Sequence, residues 1–181
     1  MWLLDVDGVT NASRPGWGRA PRSGTAYRMR RAPAPLDRIR APHRADSVEI
    51  RRCSTWRAEI EQVERLLALP GLARAWSRSP VRRRRRDGQL AAARDVLTRG
   101  RRLIWTDDVE VPTSGPVDDE LTRGGRALPI APSPGRGLQS EHLDVIEAFT
   151  STPTAEGRGS ATDDALLIAR RLLEGGPTPS M

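Results

Sequence analysis

The chain has 181 residues, 37% of them hydrophobic, enough for one core-bearing domain and a tail. All 30 of its Lys-or-Arg residues are Arg, giving a formal net charge of +7; this suits a nucleic-acid or phosphate partner, although abundant Arg, Ala, Gly and Pro without Lys is also what GC-rich coding yields whatever the function. One cysteine excludes an intramolecular disulfide or a Cys-cluster zinc site, two histidines do not make a His-rich metal site, seven aromatic residues do not make a stacking platform, and the lack of a long apolar run or a signal-peptide pattern predicts a soluble, cytoplasmic chain with no membrane contact.

Residues 2–6 form a short apolar run ending in Asp7-Gly8 and read as a buried strand. Residues 11–33, rich in Arg, Gly, Pro and Ser without a period, read as a long loop or disordered insertion. A helix over 35–46 is damaged by Pro42, so it should be kinked or short. Residues 48–53 read as a second strand, in which the adjacent Arg51 and Arg52 force one charged side chain toward a normally buried position. Residues 56–68 place Ile60, Val63, Leu66 and Leu67 on one helical face, ended by Pro70-Gly71. Residues 73–78 suggest a third strand around Trp76, and Arg82–Arg86 a solvated loop.

A helix follows over 89–98, closed by Gly100. Leu103-Ile104-Trp105 reads as a strand leading to Asp107-Asp108, 116–122 as a short helix, 127–131 as a final strand, and 140–149 as a helix with Leu143, Ile146 and Phe149 inward. Residues 150–160 have linker composition, and 162–174 make a short helix with acids at its start. The expected organisation is therefore an α/β domain over 1–149 and a flexible linker with a short helix over 150–181.

Alternating strands and helices predict a mostly parallel sheet covered on both faces, with ligands outside the C-terminal edge of the strands. Asp5 and Asp7, Ser54 and Thr55, and Asp107 and Asp108 all fall at predicted strand ends, so three distant segments converge on one edge. Two carboxylates at one strand end can divide the roles of nucleophile and proton carrier. A carboxylate attacking a phosphoryl group needs its charge neutralised, which calls for a hard divalent cation such as Mg²⁺.

On these motifs the chain resembles the haloacid dehalogenase-like (HAD) superfamily of phosphohydrolases, over residues 1–149. Asp5-Val6-Asp7-Gly8-Val9 looks like its first motif, Arg52-Cys53-Ser54-Thr55-Trp56-Arg57 like its second, and Leu103-Ile104-Trp105-Thr106-Asp107-Asp108 like its fourth. The arrangement is similar to small actinobacterial HAD-like proteins and to the HAD domains of RNA-repair proteins. The resemblance implies a Rossmann-like three-layer sandwich with a minimal cap or none, and hydrolysis of a phosphate monoester through an aspartyl-phosphate. It implies Asp5 as nucleophile, Asp7 as general acid/base, Ser54 or Thr55 on the phosphoryl oxygen, and Mg²⁺ held among Asp5, Asp7, Asp107 and Asp108.

The family's third motif is a Lys or Arg, and this chain has no Lys. Arg86, or another of Arg82–Arg85, is the candidate cation; Gln89 is the other occupant of that place, and would bring no charge. If Gln89 fills it, the alternative gains: a catalytically weak module binding nucleic acid or a partner through Arg-rich loops. An RNA-end phosphatase would combine the two. Cys53 reads as a small buried residue with no His near in sequence to activate it, Trp56 and Trp105 as core or pocket wall, and His142 as a surface residue.

Overall fold

The computed structural model describes residues 1–14, 22–24, 29–31, 33–53, 61, 64, 65, 68, 69, 71–75 and 82–152. In chain order the elements are β1 (Trp2–Leu4), β2 (Arg22–Gly24), β3 (Met29–Arg31), α1 (Pro33–Arg44), β4 (Ile50–Arg52), α2 (Arg82–Thr98), β5 (Leu103–Thr106), α3 (Pro116–Thr122), β6 (Ala127–Ile130) and α4 (Ser140–Ser151). β1, β4, β5 and β6 form one four-stranded, all-parallel sheet in the order β4-β1-β5-β6. With the four helices named above among the described residues it is an α/β fold. Among the described residues no helix is long and apolar enough to cross a membrane.

Strand side chains alternate between faces, and β1 shows it in three residues. Trp2 and Leu4 join one hydrophobic cluster with Leu36 and Ile39 of α1, Ile104, Leu128 and Ile130 of the sheet, and Leu143, Ile146 and Phe149 of α4. Leu3 joins a second with Leu103 and Trp105 of β5, Ala93 and Val96 of α2, and Leu121 of α3. Each fully buried large apolar side chain contributes about 1.5–3 kcal/mol. A surface ion pair such as Arg38 to Asp144 and Glu147, both at 2.7 Å between α1 and α4, adds about 0–1 kcal/mol. The two clusters therefore hold the sheet, and the ion pairs set how α1 lies on α4. Trp2 Nε1 donates to Thr106 Oγ1 at 3.0 Å inside the core, which satisfies the indole without leaving the apolar cluster.

Four local expectations change. Residues 11–33 contain an antiparallel hairpin, β2 with β3, in the register Arg22↔Arg31 and Gly24↔Met29. Arg82–Arg86 open helix α2 instead of forming a loop; Arg is a good helix former, and the run costs little backbone propensity. In α1 two prolines, Pro33 and Pro35, lie in the first turn, whose N–H groups have no intrahelical acceptor, while Pro42 lies inside the helix and removes one intrahelical hydrogen bond; the helix ends two residues later, at Arg44. The strand around Trp76 reduces, among the described residues, to a single parallel bridge between Arg74 and Arg52. Of 56–68, Glu61, Glu64 and Arg65 are helical and most of the rest, with the 162–174 helix and nearly all of the linker, lies outside the described residues. α4 runs to Ser151, two residues past the expected domain end, and Thr152 N–H closes it on the Ala148 carbonyl.

The adjacent arginines of β4 are accommodated by partners. Arg51 donates to Glu49 at 2.6 Å. Arg52 donates through Nη1 to Glu64 at 3.0 Å, and Glu64 also accepts from Gly71 N–H at 2.8 Å.

His142 is half-buried rather than a surface residue. Its Nδ1 accepts from the Gln139 N–H at 2.8 Å at the start of α4, the side-chain-to-backbone half of a capping box. Burial, opposed by Glu141, holds the imidazole below its ordinary value of 6.5. A base with a depressed folded-state pKa contributes its stability fully above 6.5 and loses it as the pH falls below 6.5 through the folded value. The thermal midpoint is expected to drop on acidification through this range. His142→Gln, which keeps an acceptor but does not titrate, should flatten that part of the profile. Identical pH profiles for the two proteins would remove His142 from the cap.

Candidate active site at the strand ends

The chain leaves β1 toward β4 on one side and leaves β5 toward β6 on the other. Strand order thus reverses between β1 and β5, and the C-terminal ends of these two strands are the usual ligand position in an open parallel sheet. Pairing continues one residue past each strand. Asp5 N–H donates to the Thr106 carbonyl at 3.0 Å, Cys53 N–H to the Leu4 carbonyl at 2.9 Å, and Asp107 N–H to the Ile130 carbonyl at 3.3 Å. Asp5, Cys53 and Asp107 are therefore fixed by backbone directly beyond the strand ends. All three are buried, at 2%, 0% and 0% exposure, and one ligand atom of each lies within 4.8 Å of the others.

Asp107 is oriented by three donors. Its Oδ1 accepts from Val109 N–H at 2.9 Å and Glu110 N–H at 2.8 Å, and its Oδ2 accepts from Gln89 Nε2 at 3.0 Å. Gln89, wholly buried on α2, also donates from Nε2 to the Cys53 carbonyl at 2.9 Å. A neutral amide thus stands against the carboxylate where a cation was looked for. The side-chain positions of Arg82–Arg86 lie outside the described residues, as do Ser54 and Thr55.

Asp7 is exposed, with its Oδ1 accepting from Asn11 Nδ2 at 2.9 Å. The chain turns tightly after it: Thr10 and Asn11 N–H both reach the Val6 carbonyl, at 2.9 and 2.8 Å. Gly8 has a φ of 68°, a conformation only glycine adopts without strain, and any Cβ there would collide with the Asp108 side chain. That close approach brings the half-buried Asp108 beside the Asp7-Gly8 turn. The turn is held from outside as well. Leu138 N–H donates to the Val9 carbonyl at 2.9 Å, and Gly137, at φ 66°, leaves no room for a Cβ against that same carbonyl.

The structure thus brings Asp5 and Asp107 together, sets Asp108 beside the Asp7 turn, and puts Trp105 in the core at 1% exposure. Sequence reasoning took Cys53 as a buried filler. It is buried, but its sulfur also belongs to the cluster, and its place directly before Ser54 at a strand end was the available signal. Oxygen donors of this kind suit a hard divalent ion: the carboxylates of Asp5 and Asp107 each place an oxygen within 4.8 Å of the other, and Asp108 is next in sequence. No protein-family model matches this chain, and no curated protein or solved structure matches it either.

Proposed function

We propose that this chain is a Mg²⁺-dependent phosphate-monoester hydrolase of the HAD type, with a Rossmann-like three-layer architecture and intrinsically slow turnover. The observation that supports it is the meeting of Asp5 and Asp107 at the strand ends where strand order reverses. On this reading Asp5 attacks the phosphoryl group and becomes the aspartyl-phosphate. Asp7, exposed in the turn after β1, protonates the departing oxygen and then takes a proton from water to release phosphate. Ser54 or Thr55 binds a phosphoryl oxygen, and the arginines that open α2, Arg86 among them, favour an anion at that end of the helix. Asp5, Asp7, Asp107 and Asp108 would hold Mg²⁺, which supplies charge neutralisation for an anionic nucleophile and an anionic substrate.

Gln89 favours slow turnover. Its amide orients Asp107 but offers no positive charge to the nucleophile or the phosphoryl group, and one such electrostatic contribution is worth about 10²–10³ in rate. The same observation supports the second reading, a binding module with little catalysis that engages nucleic acid through its arginines.

A panel of phosphate monoesters, with Mg²⁺ and with chelator, tests the first reading. Wild type should release phosphate slowly and only with the metal, and Asp5→Asn should fall to background while remaining folded. Activity indifferent to chelator, or retained in Asp5→Asn, would falsify it. On the second reading RNA binding survives Asp5→Asn and weakens steeply as salt rises.

A further inference from the structure

We infer that Asp5, Cys53, Asp107 and Gln89 form a binding site for a thiophilic divalent cation of the zinc class. The inference does not rest on the phosphate reading. It starts from the one group of three or more metal-ligating side chains that lie this close together among the described residues, whose ligand atoms fall within 4.8 Å of one another. Zinc bonds of about 2.0 Å to oxygen and 2.3 Å to sulfur set tetrahedral ligand atoms about 3.3–3.5 Å apart where one of them is sulfur. Rotation of the Asp5 carboxylate and the Cys53 thiol toward Asp107, which its three donors hold in place, closes the difference.

A second observation lies beside the cluster. Gln89 is wholly buried, and among the described residues its Oε1 has no hydrogen-bond partner. Its Nε2 spends its two hydrogens on Asp107 Oδ2 and the Cys53 carbonyl, which holds the amide next to the cluster. A cation at the cluster would give that buried amide oxygen a positive neighbour. The charge count agrees. Two carboxylates and a thiolate already exceed the charge of a dication, so a neutral fourth donor is the one that adds no further repulsion.

The sulfur decides the class of ion. Mg²⁺ takes oxygen ligands in octahedral geometry, whereas thiolate selects zinc-class ions. Binding releases the Cys53 proton to solvent. This donor set shares Asp5 and Asp107 with the oxygen-only set, so a single ion occupies one or the other: a zinc-class ion would engage Asp5 and block its attack, and the chain loaded with Mg²⁺ would be the one that turns over.

The test titrates the full, metal-stripped chain with Co²⁺ near neutral pH under reducing conditions. A near-ultraviolet thiolate-to-cobalt charge-transfer band should saturate at one ion per chain. Zn²⁺ should abolish it at stoichiometric amounts, and Mg²⁺ should fail to do so in large excess. Cys53→Ser should lose the band, and Gln89→Leu should keep it with affinity lowered about tenfold or more, as for other groups that support metal ligands. Binding without the band, a band that survives Cys53→Ser, displacement by comparable Mg²⁺, or unchanged affinity in Gln89→Leu overturns the site. The wild-type arms need no variant to fold. Phosphate release is read in none of them, so this inference and the hydrolase reading fail separately.

Discussion

Gln89→Lys is expected to raise Mg²⁺-dependent phosphate release by about two orders of magnitude, the scale of one well-placed electrostatic contribution. Gln89 already reaches Asp107 Oδ2 at 3.0 Å from a wholly buried position on α2, and lysine extends a charged donor from the same backbone into the same two acceptors. Desolvation of the new ammonium is offset by two neighbouring buried carboxylates, Asp5 and Asp107. Gln89→Leu should not gain, and Asp5→Asn in the lysine background should return to zero. The measurement is the initial rate of phosphate release at saturating Mg²⁺. A Gln89→Lys protein that folds, binds Mg²⁺ and turns over no faster than wild type would show that the missing cation does not limit the reaction.

Glu64→Ala is expected to destabilise the fold by about 3 kcal/mol, the lower end of the range for removing one partner of a buried ion pair. The Arg52 and Glu64 side chains are 19% and 9% exposed. Among the described residues Arg52 Nε is buried with no hydrogen-bond partner, so loss of the carboxylate strands a guanidinium that they only partly satisfy. Gly71 N–H loses its acceptor in the same step. At roughly 2–4 °C per kcal/mol for a chain of this size, the thermal midpoint should fall by about 6–12 °C. Replacing both partners with Leu should recover most of the loss, because the cost lies in the unpaired charge. A Glu64→Ala midpoint within a degree of wild type would mean that the pair behaves as a surface contact.

Elements with a clean period were legible in the sequence. Leu143, Ile146 and Phe149 mark the buried face of α4, and Pro116–Thr122 is the helix that its sequence suggests. The β2–β3 hairpin was not legible, because Arg-Ser-Gly and Met-Arg-Arg show no alternation; its pairing comes from backbone hydrogen bonds, which leave no mark on side-chain type. The start of α2 was hidden for the opposite reason. Five like charges suggest solvation, yet nothing in Arg itself opposes a helix. At the site, Asp5 and Asp107 stood out because acids at strand ends are conspicuous. Cys53 did not, since its nearness to them depends on strands that meet across long stretches of chain. Gln89 could be located by its place in the helix, but only the structure gives the two acceptors that fix its amide.

The all-parallel sheet also governs how the chain reaches this state. Trp2 donates to Thr106, 104 residues away in sequence, and β1 pairs on both sides with strands made long after it. Loop-closure entropy must be met before such contacts stabilise anything, so high contact order makes for slow folding. The most local unit is β5–α3–β6, which can form as soon as it is made. During synthesis Trp2, Leu3 and Leu4 can meet α1 and β4 early but stay incompletely covered until β5 has emerged, a sticky segment awaiting its last partner. Because the cluster residues sit directly beyond β1, β4 and β5, they come together only when that last closure is complete. Cobalt charge transfer recorded during refolding would therefore time the end of the folding reaction, and any ion bound there would hold the finished sheet against reopening.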